Sequence, residues 1–147
     1  MIFFASSQPY EQQDLRPTLS DRFNLEVVEE VFSETTVFYA GSEISIAARG
    51  VEGFVEFFIR KGAHLAVYLI LGFLVYRLLQ FYFQNKKYML LSALLIVTLY
   101  AVSDEIHQYF TPNRTALVED VMLDSVGGLI GIFLAQIIYH RKDRRKQ

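Results

Sequence analysis

The sequence predicts an all-α integral membrane protein, a helical bundle with three transmembrane helices and additional amphipathic surface helices. Hydrophobic residues make up 52% of the 147 residues and charged residues only 20%. Three apolar stretches, at residues 63–83, 88–110 and 121–139, each reach the length of about 20 helical residues that a hydrocarbon core requires. The loops between them are short, so we expect one domain in which the spans form a tight antiparallel bundle.

The segment before the first span, residues 11–58, mixes acidic and apolar residues and has no stretch long enough to cross. Apolar residues recur there at helical spacing in two places: Phe23, Val27, Val28, Val31 and Phe32, and then Phe54, Phe57 and Phe58. These patterns predict two amphipathic helices on the membrane surface with their aromatic faces in the interface. A small soluble subdomain is the alternative. Gly41, Gly50 and Gly53 are expected to break the connection between the two helices.

The chain begins with Met1 to Ala5, an apolar fragment too short to cross a membrane. It lacks the charged start and the apolar core of a signal peptide. We therefore expect a first helix that is truncated here. Roughly 15 further apolar residues upstream would complete it, and the alternative is a form with one membrane helix fewer.

Basic residues predict the orientation of the bundle. Lys86 and Lys87 join the first two spans, and five lysines and arginines lie in the tail at residues 140–147. Positive charge marks the cytoplasmic side. Residues 1–60 and the loop at 111–119 are therefore expected on the extracytoplasmic side.

Polar residues gather at that predicted outer end. His64 lies in the first turn of the first span; Asp104, Glu105 and His107 lie in the last two turns of the second; and Asp120 and Asp124 open the third. An ionisable side chain within a membrane costs roughly 2.5–3.5 kcal/mol on insertion scales and usually has a function. The cluster is therefore the candidate site.

Helical spacing indicates how these residues meet. Lys61, His64 and Tyr68 share one helical face. The pattern Gly127-x-x-x-Gly131 allows a second helix to approach closely, which would bring Asp124 near its neighbours.

Three chemistries remain open for such a site. The histidines and carboxylates suit a divalent metal such as zinc or manganese, although no HExxH spacing is present. A histidine beside a carboxylate suits a general base that works with a cationic group. The basic residues alone suit a phosphate or carboxylate headgroup. The alternative to all three is interhelical glue, in which the charges only hold the helices together.

Two sets of candidate residues follow. The candidate catalytic residues are His64, Asp104, Glu105 and His107. The candidate binding residues are Arg60, Lys61, Tyr68, Gln108, Arg114, Asp120 and Asp124. The chain has no cysteine, so a thiolate metal site is excluded, and the metal ligands stay open.

These motifs, in this order, resemble those of the VanZ-like family of small bacterial membrane proteins. The matching pieces are Ser6-Ser7-Gln8, Phe58-Ile59-Arg60-Lys61-Gly62-Ala63-His64 with Tyr68, Ser103-Asp104-Glu105-Ile106-His107-Gln108, Pro112-x-Arg114, Asp120 and the glycines at 127, 128 and 131. Two features depart from the family pattern. Only Met1 to Ala5 remain of the helix that usually precedes Ser-Ser-Gln, and Asp124 stands where asparagine is common.

The resemblance implies a multi-pass protein of the bacterial cell membrane, in a family whose founder is associated with resistance to the glycopeptide teicoplanin. It implies an outward-facing site that binds or acts on an envelope lipid or a peptidoglycan precursor. Membrane lipids and a lipid-linked cell-wall precursor are the expected partners, and nucleic acid is not. The resemblance supplies no reaction, so an enzyme and a non-catalytic membrane scaffold or binding protein both remain open.

Overall fold

The computed structural model describes residues 14–111 and 116–144, with side chains to residue 139. The elements in these ranges are helices α1 (Arg16–Arg22) and α2 (Glu26–Phe32), strands β1 (Thr36–Tyr39) and β2 (Ser42–Ser45), and helices α3 (Ile46–Leu79), α4 (Lys86–Tyr109) and α5 (Val118–Arg144). The predicted helical membrane fold is confirmed. Met1 to Ala5, the Ser6-Ser7-Gln8 motif, Pro112 and Arg114 lie outside the described residues.

The three long helices are each long and apolar enough to cross a membrane, over Ile46–Leu79, Lys86–Tyr109 and Val118–Tyr139. Their outward faces expose large apolar side chains, among them Ile70, Leu95 and Ile130. Lipid tails solvate such faces as well as another apolar helix would. The chain is therefore a membrane protein.

Helix α3 is longer than the predicted first span, because it also contains the residues expected to form a separate surface helix. The Ser45 hydroxyl caps its start by accepting a hydrogen bond from the Ala48 amide at 3.1 Å. Gly50 then interrupts it with φ 72° and ψ 167°, in a region that favours glycine. Gly53 continues the helix, so the break expected there is wrong. The helix ends at Leu79, before the predicted end of the span.

Strands β1 and β2 form an antiparallel hairpin that the sequence analysis did not predict. Its two-residue turn places Ala40 at φ 49° and Gly41 at φ 73°, and two positive φ angles are typical of the type I′ turn that suits strand twist. Tyr39 pairs with Ser42 across this turn. The hairpin packs against the start of α3 and so brings Tyr39 to the polar end of the bundle.

Helix α5 packs against both other spans, most extensively against α3. Glycines form these contacts, since a Cβ atom on Gly131 would lie 1.9 Å from the Leu69 carbonyl oxygen and one on Gly128 would lie 2.3 Å from Val97 Cγ1. No larger residue fits without moving the helices. The close approach predicted from the glycine pattern is confirmed.

The bundle has an apolar end and a polar end. The apolar end, next to the loop at 80–85, contains the buried cluster of Tyr76, Met89, Ala93, Ile132 and Ala135. A smaller cluster of Tyr68, Val97 and Ala101 lies between this end and the polar one.

Candidate functional site

Three side chains from three different helices meet at the polar end. His64 of α3, Asp104 of α4 and Asp124 of α5 each offer one ligand atom, and these atoms lie within 4.8 Å of one another. His64 Nδ1 is 3.5 Å from Asp124 Oδ2. Asp104 and Asp124 are only 1% and 2% exposed. We call these three residues the triad.

Several polar atoms around the triad are buried without a hydrogen-bond partner among the described residues. They are Asp104 Oδ1, Asp124 Oδ1 and the Tyr68 hydroxyl. Tyr68, fully buried, is one helical turn from His64, and its hydroxyl interacts electrostatically with both carboxylates. The second oxygen of Asp104 accepts a hydrogen bond from Gln108 Nε2 at 3.3 Å. A buried polar group without a hydrogen-bond partner lowers the stability of the fold by about 1–3 kcal/mol. A ligand that pairs with these atoms would remove that cost.

A second polar group lies beside the triad and ties the hairpin to the bundle. Asp120 Oδ1 accepts hydrogen bonds from the Lys61 ammonium and the Tyr39 hydroxyl. The Lys61 Nζ atom also lies 4.7 Å from the centroid of the Tyr39 ring, within cation–π range. Burial, followed by the bond to Asp120, raises the pKa of Tyr39 well above its usual range. The Tyr39 phenol therefore stays protonated and donates at neutral pH.

A cavity of about 680 Å³ opens beside both groups, between the hairpin, α1 and the polar end of the spans. Among the described residues, its lining includes four basic side chains and two acidic ones: Arg16, Arg49, Arg60 and Lys61, and Glu56 and Asp120. His64 and Gln108 also reach it. The cavity is therefore a polar chamber with an excess of positive charge.

Glu56 is a site residue that the sequence analysis missed. Its side chain is 4% exposed and accepts from Arg60 at 2.9 Å and from the Leu15 amide at 3.4 Å, with Arg16 Nε at 3.7 Å. The spacing from Glu56 to Arg60 is the i, i+4 spacing of a helical ion pair, which was the available signal.

The structure separates the predicted catalytic residues. Glu105 is buried, but its carboxylate accepts from the Leu117 amide at the start of α5. A negative group there satisfies an otherwise unpaired amide and suits the positive end of the helix, so Glu105 positions α5. His107 is partly buried and belongs neither to the triad nor to the cavity lining among the described residues.

The predicted binding residues mostly converge. Lys61, Arg60, Gln108 and Asp120 line the cavity, and Asp124 and Tyr68 lie with the triad beside it. Arg114 is outside the described residues. Tyr39, Arg16 and Arg49 join the site although nothing in the sequence analysis selected them.

A bundle of three membrane-spanning helices, with buried charges and a cavity at one end, defines a multi-pass membrane protein with a polar site. A sequence profile of the VanZ/LLP1 family matches residues 1–139, and the chain belongs to this family. The name of the family is associated with resistance to teicoplanin. Comparisons with curated proteins and with solved structures gave no match.

Proposed function

We propose that this VanZ-like protein binds the anionic headgroup of an envelope lipid or a lipid-linked peptidoglycan precursor in the cavity at its polar end. Binding there would change the access of glycopeptides such as teicoplanin to the precursor. The observation that supports this proposal is the charge of the cavity, whose lining holds four basic side chains against two acidic ones.

The arginines that line the cavity have the donor chemistry that suits an anionic headgroup. Arg60 pairs with the Glu56 carboxylate at 2.9 Å, whereas Arg16 donates to Asp14 at 2.7 and 2.9 Å and lies 3.7 Å from Glu56. Arg49 lies 5.7 Å from the centroid of the Phe57 ring and donates to the Glu43 carbonyl at 3.4 Å. A guanidinium has five N–H donors in a planar fork whose geometry matches phosphate oxygens. Arginine also binds phosphate through two parallel hydrogen bonds.

The distribution of basic residues supports an outward-facing cavity. Lys86 and Lys87, and Arg141, Lys142 and Arg144 in the last turns of α5, lie at the ends of the spans opposite the cavity. By the positive-inside rule those ends are cytoplasmic. Topology reporters inserted at Asn85 and fused after Gln147 should therefore read as cytoplasmic, and one inserted at Asn113 as external. Reversed signals would remove the outer-face site.

Binding is tested with the purified full chain in detergent, with inorganic phosphate and pyrophosphate as probes and calorimetry as the readout. The double variant Arg49→Gln/Arg60→Gln should lose at least about 10-fold in affinity, since each charge-assisted bond contributes about 1.5–3 kcal/mol. The matched control Lys86→Gln/Lys87→Gln removes the same charge from the opposite end and should bind like the wild type. Equal affinity in both double variants would reject the cavity as the anion site.

The consequence for cells is measured by glycopeptide susceptibility and by mass spectrometry of lipids and cell-wall precursors. The cavity variant should accumulate in membranes but lose the effect on susceptibility, whereas the control keeps it. A lipid or precursor species that appears or disappears with the protein would add catalysis to binding. Unchanged profiles with altered glycopeptide binding would identify a binding protein.

Interhelical glue is the second candidate, and two contacts favour it. The Lys61–Asp120 ion pair joins α3 to α5, and the Glu105 bond to Leu117 joins α4 to the start of α5. If these contacts were the whole role of the cluster, the cavity variant would retain its effect on susceptibility.

A further inference from the structure

We propose that the triad of His64, Asp104 and Asp124 is a binding site for a divalent transition metal, with zinc as the metal that its donors fit best. The proposal does not depend on headgroup binding in the neighbouring cavity. It narrows the set of histidines and carboxylates that the sequence left open as metal ligands, and His107 is not part of it.

Charge balance is the first argument. Asp104 and Asp124 are almost fully buried from water and lie close together, which is unfavourable for two negative charges in a medium of low polarity. Lys61 does not relieve them, because its ammonium is bound to Asp120. One divalent cation with a neutral imidazole would neutralise both carboxylates.

The unpaired atoms are the second and independent argument. Each triad aspartate has one oxygen engaged at 3.3 to 3.5 Å, with Gln108 and with His64 respectively, and one buried oxygen for which the described residues offer no hydrogen-bond partner. The Tyr68 hydroxyl beside them is also buried and also has no hydrogen-bond partner among the described residues. A metal would use the aspartate oxygens, and a donor such as Tyr68 would orient a ligating carboxylate, as the residues around metal ligands commonly do.

The donor set indicates the metal. Zinc accepts imidazole nitrogen and carboxylate oxygen at about 2.0–2.2 Å in tetrahedral geometry, which places neighbouring donor atoms about 3.4 Å apart. The His64 Nδ1 to Asp124 Oδ2 distance of 3.5 Å already matches. No pair of ligand atoms in the triad is more than 4.8 Å apart, so each pair has to close by at most about 1.4 Å, which side-chain rotation can supply.

The backbone around the triad is fixed by the glycine contacts. Gly127, three residues after Asp124, lies so close to α3 that a Cβ atom would be 2.6 Å from the carbonyl oxygen of Leu65, the residue after His64. Helices α3 and α5 therefore hold two of the three ligands at a set spacing.

Three protein ligands leave one tetrahedral position open, as in catalytic rather than structural zinc sites. His64 also lines the cavity, so that position would face it.

The test uses the full chain in detergent, stripped with a chelator and then titrated with Zn²⁺ alone. Wild-type protein should retain one zinc per chain after buffer exchange, measured by elemental mass spectrometry. Asp104→Asn and Asp124→Asn should each weaken binding by about 100-fold or more, since even residues behind the ligands change metal affinity 10–100-fold. Glu119→Gln, which removes a charge from an exposed position of α5, is the matched control and should bind like the wild type.

Cobalt provides a readout that needs no variant. Co²⁺ bound to the wild-type triad should give the intense visible absorption of a four-coordinate nitrogen and oxygen site, and added Zn²⁺ should abolish it. Absence of both stoichiometric zinc and this absorption would overturn the proposal. Zinc retained by Asp124→Asn but lost by His107→Gln would also overturn it, in favour of a site between the histidines.

The same samples separate this proposal from the previous one. Arg49→Gln/Arg60→Gln should lose phosphate and keep zinc. Phosphate binding without zinc would overturn the metal site and leave the anion cavity standing.

Discussion

The two ends of the bundle are built from the same three helices, yet they are filled in opposite ways. At the apolar end, Tyr76, Ala93 and Ile132 are buried against one another. At the polar end the equivalent space holds Asp104 and Asp124, each with an oxygen that has no hydrogen-bond partner among the described residues. The packing at the apolar end stabilises a membrane bundle, whereas the unpaired carboxylate oxygens at the polar end do not.

Magnitudes support this division. An unpaired buried polar group costs about 1–3 kcal/mol. Interhelical hydrogen bonds in a membrane protein return only about 0.6 kcal/mol on average. The polar end therefore contributes less to the stability of the free protein than the apolar end does. Each prediction below tests whether stability and function are divided between the two ends in this way.

The largest effect is expected at the helix contact that supports both ends. Gly131→Leu should prevent the folded protein from accumulating, because even a Cβ atom there would lie 1.9 Å from the Leu69 carbonyl oxygen. Gly62→Ala is the matched control, since a Cβ atom at Gly62 meets nothing within 4 Å. The control should be as stable as the wild type or up to about 1 kcal/mol more stable, from helix propensity. Membrane accumulation and thermal unfolding in detergent measure both, and normal accumulation of Gly131→Leu would contradict the packing.

The next effect belongs to the apolar end alone. Ile132→Ala should lower the free energy of unfolding by about 2–4 kcal/mol, because the side chain is fully buried and its removal leaves a cavity. Leu99→Ala removes a side chain of similar size that is 58% exposed, so its effect should stay below about 1 kcal/mol. Zinc and phosphate binding per folded molecule should not change in either variant. A loss of binding in Ile132→Ala would show that the two ends are coupled.

At the polar end, substitution of a buried residue should leave the stability of the metal-free protein unchanged or raise it. In metal-free protein, Asp124→Asn should be as stable as the wild type or more stable by about 1 kcal/mol, since it removes one buried charge and keeps the shape of the side chain. In zinc-loaded protein, the wild type should gain a higher unfolding temperature that the variant lacks. A metal-free variant destabilised as strongly as Ile132→Ala would make the triad structural and break the comparison.

A smaller effect is expected where the hairpin meets the polar end. Tyr39→Phe removes the hydroxyl that donates to Asp120, and should cost about 0.5–1.5 kcal/mol. Hydrogen exchange should become faster in the hairpin amides and stay unchanged in the spans. Tyr82→Phe, at an exposed tyrosine near the apolar end, is the control and should have no effect.

The smallest effect lies outside the bundle, at the start of α1. Hydrogen bonds from the Arg16 side chain and then from its amide lower the pKa of Asp14 from 3.8 to about 2. The folded value lies below the unfolded one, so the stabilisation is present above about pH 4 and is lost as the pH falls through about 2. The first turn of α1 should loosen over that window in the wild type but not in Asp14→Asn, with the spans unaffected. An NMR titration of the Asp14 carboxyl group measures it.

The fold was predictable because its signals are local. Span length and the glycine spacing at 127–131 depend only on residues within one helix, and both predictions are confirmed. The gathering of charges at one end followed from the alternating direction of the spans. These predictions do not depend on which residues of different helices are in contact.

The contents of the site were less predictable because they depend on contacts between elements. Asp104 and His107 lie on similar sides of α4, and the rotation of that helix, set where Val97 meets Gly128, directs Asp104 rather than His107 to the triad. Tyr39 reaches Asp120 only through a hairpin whose strands are four residues long. The periodicity of residues within a single element predicts neither the orientation of Asp104 nor the contact of Tyr39 with Asp120.

The length of α3 has a further consequence for the level of the site in the bilayer. At about 1.5 Å per residue, the helix after its kink at Gly50 runs for about 44 Å, well beyond the 30 Å of a hydrocarbon core. Counting about 20 residues back from Leu79 places the hydrocarbon boundary near Arg60. By this count Arg60 lies near the level of the lipid headgroups, and His64 lies one turn deeper. Under the proposed headgroup binding, a thicker or thinner bilayer would therefore shift the lipid phosphate relative to Arg60.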